Sequence, residues 1–70
     1  MTFEEALLEM RKGKRVRRPI WTKAYLFLGK EVDGDDLKNY IYCGTFGSKR
    51  VYRIRAIECS SIMSSDWEII

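Results

Sequence analysis

Three residues within five positions could recognise a ligand that carries both negative charge and a flat ring: Arg17, Arg18 and Trp21. A guanidinium presents a planar fork of donors matched to phosphate oxygens. An indole presents a face on which a nucleobase can stack. Pro19 stands between them and restrains the local backbone. Phe27, on an apolar run a few residues later, is a further candidate ring for the same ligand. The same residues also fit a plainer role, with Trp21 in a core and the two arginines solvating an edge strand. Neighbours on a strand point to opposite faces, so one of Arg17 and Arg18 is expected to be structural. Tyr40, Tyr42 and Tyr52 could line a pocket with polar tips, although tyrosines also recur at ordinary subunit interfaces.

Several chemistries lack their residues. The chain has no histidine, so it has no Ser-His or Cys-His nucleophile pair. Its two cysteines, Cys43 and Cys59, cannot build a zinc site of the usual ligand count. No glycine-rich phosphate loop is present. Asp33, Asp35 and Asp36 cluster in a turn-like segment without the spacing of a calcium loop, and solvation explains them. No cofactor, metal or catalytic residue is expected.

The elements that position these residues are legible in part. Thr2 and Glu5 have capping-box spacing, and Phe3, Ala6, Leu7 and Met10 form one apolar helical stripe. Glu4 and Glu5 open this helix, Arg11 and Lys12 close it, and Gly13 follows. Strands are then expected around Val16, at Tyr25–Leu28, at Tyr40–Cys43 and at Val51–Ile57. Asp33-Gly34 marks a turn between polar flanks, and Ser60–Ser65 holds about one helical turn. Asp66–Ile70 closes the chain as a strand with Trp67 and Ile69 inward. The order predicts an α+β fold over residues 1–70, with one N-terminal helix packed on a small antiparallel sheet.

At 70 residues a single core stabilises weakly, and self-association into a closed symmetric assembly is the expected support. No apolar run is long enough for a membrane span and the first residues do not read as a secretory leader, so free thiols and a cytoplasmic setting are expected. A disulfide between the two cysteines is the alternative. The net charge is only +3, but six of the eight residues from Arg11 to Arg18 are basic and four of the six from Glu31 to Asp36 are acidic. A basic cluster beside an aromatic can hold an anion, while a solvated face is the simpler account.

The two ends of the chain carry a more specific signal. Thr2-Phe3-Glu4-Glu5-Ala6-Leu7, then Met10, Gly13-Lys14, Val16, Arg18-Pro19 and Trp21, resembles the opening of the Thoeris anti-defense 2-like family of phage proteins. Ile62-Met63-Ser64-Ser65-Asp66-Trp67-Glu68-Ile69-Ile70 is similar to that family's closing stretch. Ile20 stands where the family usually has glycine, Thr22-Lys23-Ala24 replaces Asn-Gly-Lys, and the middle is shorter. The resemblance implies a small homo-oligomer that sequesters a cyclic nucleotide immune signal between subunits without degrading it. The signal would be a cyclic ADP-ribose isomer or a cyclic di- or trinucleotide. It further implies that Trp21 and Trp67 stack bases, that Arg18 faces phosphate, and that Asp66 joins the site or bonds Arg18. Two alternatives stay open: an inhibitor that binds a host defence protein directly, as an anti-CRISPR relative does, and a small nucleic-acid-binding module using Arg11–Arg18. Nucleic acid is the weaker of the two.

Overall fold

The helix forms where its cap and apolar stripe require. In the computed structural model, which describes all 70 residues, α1 spans Phe3–Arg11. Thr2 Oγ1 accepts from the Glu5 N–H at 3.2 Å, and Glu5 Oε1 accepts from the Thr2 N–H at 2.9 Å. Two otherwise orphaned donors are thereby satisfied reciprocally. Ala6 and Met10 are buried, with Phe3 and Leu7 packed beside them. Gly13, at φ 91°, reverses the chain beyond the helix in a conformation that costs other residues energy.

The strands are β1 (Val16–Arg17), β2 (Ala24–Asp33), β3 (Asp36–Thr45), β4 (Val51–Arg53) and β5 (Glu68–Ile69), with the short helix α2 at Cys59–Ile62. They form one antiparallel sheet in the order β4-β3-β2-β1-β5. The α+β class and the N-terminal helix on an antiparallel sheet match expectation. Ile70 N–H donates to Arg15 C=O at 3.0 Å, and Trp67 N–H donates to Met1 C=O at 3.0 Å. These bonds fasten the closing stretch to the opening one.

Three local expectations need correction. β2 and β3 do not stop at polar flanks; they run to the turn in ten successive cross-strand pairs, ending Asp33↔Asp36, with Gly34 at φ 67°. A two-stranded ribbon satisfies its own backbone and leaves Lys30 and Lys38 exposed, so it needs no apolar alternation. The strand expected at Val51–Ile57 ends at Arg53, because the chain then turns and packs Ile54 and Ile57 against the core. In the closing stretch, Trp67 is buried as expected just before β5, but Ile69 on β5 is half exposed, since β5 is an edge strand with nothing on its outer side. Cys43 is buried on β3, Cys59 is exposed on α2, and both thiols are free.

The core joins Ala6, Met10, Val16, Leu26, Cys43 and Trp67 between α1 and one face of the sheet. Only nine of the 70 residues are buried, so each large member carries an unusual share of the stability.

Candidate functional site

Strand alternation sends the remaining side chains to the face opposite the helix. Cross-strand pairing places Tyr25, Phe27 and Glu31 of β2 on this open face, with Tyr40 and Tyr42 of β3 and Arg53 of β4. Arg17 and Glu68 join them from β1 and β5. The rings form a row: Phe46 lies 4.9 Å from Tyr25, Tyr25 lies 6.0 Å from Phe27, and Phe27 stacks on Tyr42 at 5.6 Å. Two glycines make the row possible. The Tyr42 ring lies across Gly29, where a Cβ would come within 2.5 Å of Tyr42 Cε2, and the Tyr25 ring lies across Gly44 more closely still. Such positions exclude side chains because a ring already occupies their space.

Guanidinium groups border the row. Arg15 lies 4.9 Å from the Tyr25 centroid, Arg17 6.0 Å from Phe46, and Arg53 4.4 Å from Tyr40. Arg17 Nε donates to Glu68 Oε1 at 3.0 Å, and Arg53 Nη1 donates to Glu31 Oε2 at 2.8 Å. The Tyr42 hydroxyl donates to the other oxygen of Glu31. That bond raises the Tyr42 pKa above the ordinary phenolic value, with desolvation adding to it, so the hydroxyl stays a donor. Beside Arg15, a hollow of about 290 Å³ is lined by Gly13, Arg15, Tyr25, Phe27 and Leu28.

The other predicted residues form a separate corner. Arg18 Nε donates to Asp66 Oδ1 at 2.9 Å, Nη2 to Oδ2 at 3.4 Å, and Nη1 to Ser61 Oγ at 3.3 Å. Trp67 is 2% exposed and donates through Nε1 to Ser61 C=O at 2.9 Å. Phe3 and Trp21 pack on it at centroid distances of 5.2 and 5.1 Å. The implied stacking role of Trp67 is therefore not available in this chain: its ring is core, with no open face. Arg18 is already held by Asp66, the structural option for that carboxylate. Trp21, half buried and edge-on to Trp67, keeps part of its ring in solvent. Of the six predicted residues, Arg17 and Phe27 reach the open face, while Arg18, Trp21, Asp66 and Trp67 build the corner.

The Arg18 hydrogen bond holds the Asp66 pKa below the usual carboxylate value. A depressed folded-state pKa contributes stability above the unfolded value and loses it as pH falls through the folded one. Asp66→Asn should therefore lower Tm at neutral pH and flatten its fall below about pH 4. Thermal melts of both proteins from neutral to acid pH check this; parallel curves would show that the pair contributes no linkage.

Sequence reading missed Arg15 and Arg53 as site residues, and Tyr25 and Phe46 as rings. The signal for Tyr25 was its i, i+2 spacing to Phe27, which places both on one strand face. Arg15 and Arg17 share that spacing. Tyr52, by contrast, pairs with Cys43 on the helix side of the sheet. Asp33 is held by Lys38 at 3.0 Å, and no three potential metal ligands converge. No helix is long and apolar enough to cross a membrane.

The corner ties the opening Arg-Pro-x-Trp stretch to the closing Asp-Trp, and the whole of residues 1–70 matches the pattern of the Thoeris anti-defense 2-like domain. The chain belongs to the Thoeris anti-defense 2-like family. The match extends across the short middle that departs from the family's usual length. No curated protein matches the chain. Membership in the Thoeris anti-defense 2-like family implies a role against Thoeris defence, which is compatible with a protein that is not an enzyme.

Proposed function

We propose that this chain sequesters a cyclic nucleotide immune signal, a cyclic ADP-ribose isomer or a cyclic di- or trinucleotide, and releases it unchanged. The observation that supports this most is the open face, where a row of rings bordered by guanidiniums offers stacking and phosphate contacts together. The chain has no histidine to serve as a base, so binding is the simpler use of such a face. Phe27, at the centre of the row, stacks a base, Arg17 borders it, and Trp21 offers a second, partial face at the corner. Arg18, Asp66 and Trp67 hold that corner in place.

A ligand on a single open face would remain half in water, whereas tight small-molecule sites bury most of their ligand. A second copy of the chain closes over it, in a homodimer or homotetramer in the host bacterial cytoplasm. Preorganised walls lose little ordering entropy on binding, so no catalytic machinery is needed for high affinity.

Calorimetry against a panel of cyclic ADP-ribose isomers and cyclic oligonucleotides tests the reading, followed by heat denaturation and identification of what is released. Stoichiometric binding with intact ligand returned is expected; hydrolysed product would overturn it. Phe27→Ala should weaken binding by about 1–3 kcal/mol with the far-UV dichroism unchanged. A direct protein-blocking role draws on one observation: Val32 and Leu37, paired on the hairpin arm, are 76% and 63% exposed. No binding across the panel by a folded protein would favour that role.

A further inference from the structure

We infer that Arg15, rather than Arg17 or Arg18, is the residue that holds the anionic group of the ligand, in the hollow between Gly13, Tyr25 and Phe27; this rests on the nucleotide-binding reading above. The basic run from Arg11 to Arg18 divides in the folded chain. Lys12 pairs with Glu9, Arg17 with Glu68 and Arg18 with Asp66. Arg11, Lys14 and Arg15 enter no ion pair, and all three lie within two residues of Gly13. For Arg17 or Arg18 to bind phosphate, each must exchange a carboxylate for it, and the net gain is small. Arg15 exchanges only water, so a charge-assisted bond there keeps more of its value.

The backbone of Arg15 is also fixed. Its C=O accepts from Ile70 N–H at 3.0 Å, and the neighbouring Val16 is fully buried in the sheet. Its guanidinium lies over Tyr25, a ring itself held across Gly44. The hollow exists because β1 is two residues long while β2 runs on, and because Gly13 contributes no side chain to fill the space. At about 290 Å³ it is at the small end of ligand sites, suited to one phosphate-bearing end of a nucleotide with the base carried outward onto Phe27.

The test uses the full chain and two probes. ADP, which has a base and a pyrophosphate but no ring closure, is titrated while backbone amides and arginine Nε–H signals are followed by NMR. The Gly13 amide and Arg15 Nε–H should shift most. Arg15→Gln should weaken ADP binding about ten- to a hundredfold. Arg15→Lys should recover part of the loss, since it keeps the charge without the fork. Arg17→Gln should have a smaller effect. Shifts centred on Arg17 or Arg18, no shifts at all, or unchanged affinity in Arg15→Gln would overturn the assignment. Arg15 is exposed, and matching circular dichroism spectra check that its variants fold. The cyclic panel separates the two claims. ADP bound through Arg15 with no cyclic ligand bound leaves the anion site standing and removes the sequestering role. A cyclic ligand bound equally well by Arg15→Gln does the reverse.

Discussion

Trp67→Ala abolishes the cooperative unfolding transition of this chain at room temperature. Trp67 is the largest fully buried side chain and joins Phe3 of α1 to Trp21 of the corner. Truncating a buried aromatic costs about 3–5 kcal/mol. A core of this size supplies about 3–5 kcal/mol in total, so the variant has little or nothing left. The Ser61 carbonyl also loses the shorter of its two donors, keeping the Ser64 N–H at 3.3 Å. Trp67→Phe keeps much of the volume and loses that one hydrogen bond, so it should fold with its unfolding free energy lowered by about 1–2 kcal/mol. Urea titration followed by circular dichroism measures both. If Trp67 were instead a ligand-stacking surface residue, Trp67→Ala would unfold like the parent protein and lose only binding. An unchanged midpoint would therefore overturn the core assignment.

The second large effect is expected at Gly44→Val. This glycine has no positive φ; its constraint is the Tyr25 ring lying against it. A β-branched side chain forces that ring off the sheet, an overpacking cost of about 1–3 kcal/mol. Tyr25 is 9% exposed and packs between Phe46, Phe27 and Arg15, so its displacement disorders one end of the aromatic row. Gly44→Val should therefore lose ligand affinity and stability together. Gly29→Ala meets the Tyr42 ring, which is half buried and tethered to Glu31, and should cost less. Melting curves and calorimetry on the two variants check the ranking. Equal or smaller loss at Gly44 would show that Tyr25 moves freely.

Much of the local structure was legible beforehand. The capping box, the apolar stripe and Gly13 mark α1 from its own residues, because a helix is decided by neighbours three and four apart. Gly34 marks the hairpin turn for a similar reason. The hairpin's length was not legible. Polar strand residues such as Lys30, Glu31 and Lys38 carry no alternating signal, and their pairing depends on a partner strand rather than on burial. The end of β4 was hidden for the opposite reason: Ile54 and Ile57 keep a strand-like pattern, but the core draws them away from the sheet.

The sequence by itself determined the helix, the α+β order, the corner motif that marks the family, and the cation-aromatic character of the ligand-binding proposal. Only the tertiary structure decided which tryptophan is core and which arginines are engaged. Arg17 meets Glu68 across 51 residues, Arg18 meets Asp66 across 48, and Arg53 meets Glu31 across 22. Periodicity tells which way a side chain points from its own strand. It does not tell which carboxylate or ring the sheet order will bring opposite, and that arrival leaves Arg15 free while it occupies Arg17 and Arg18.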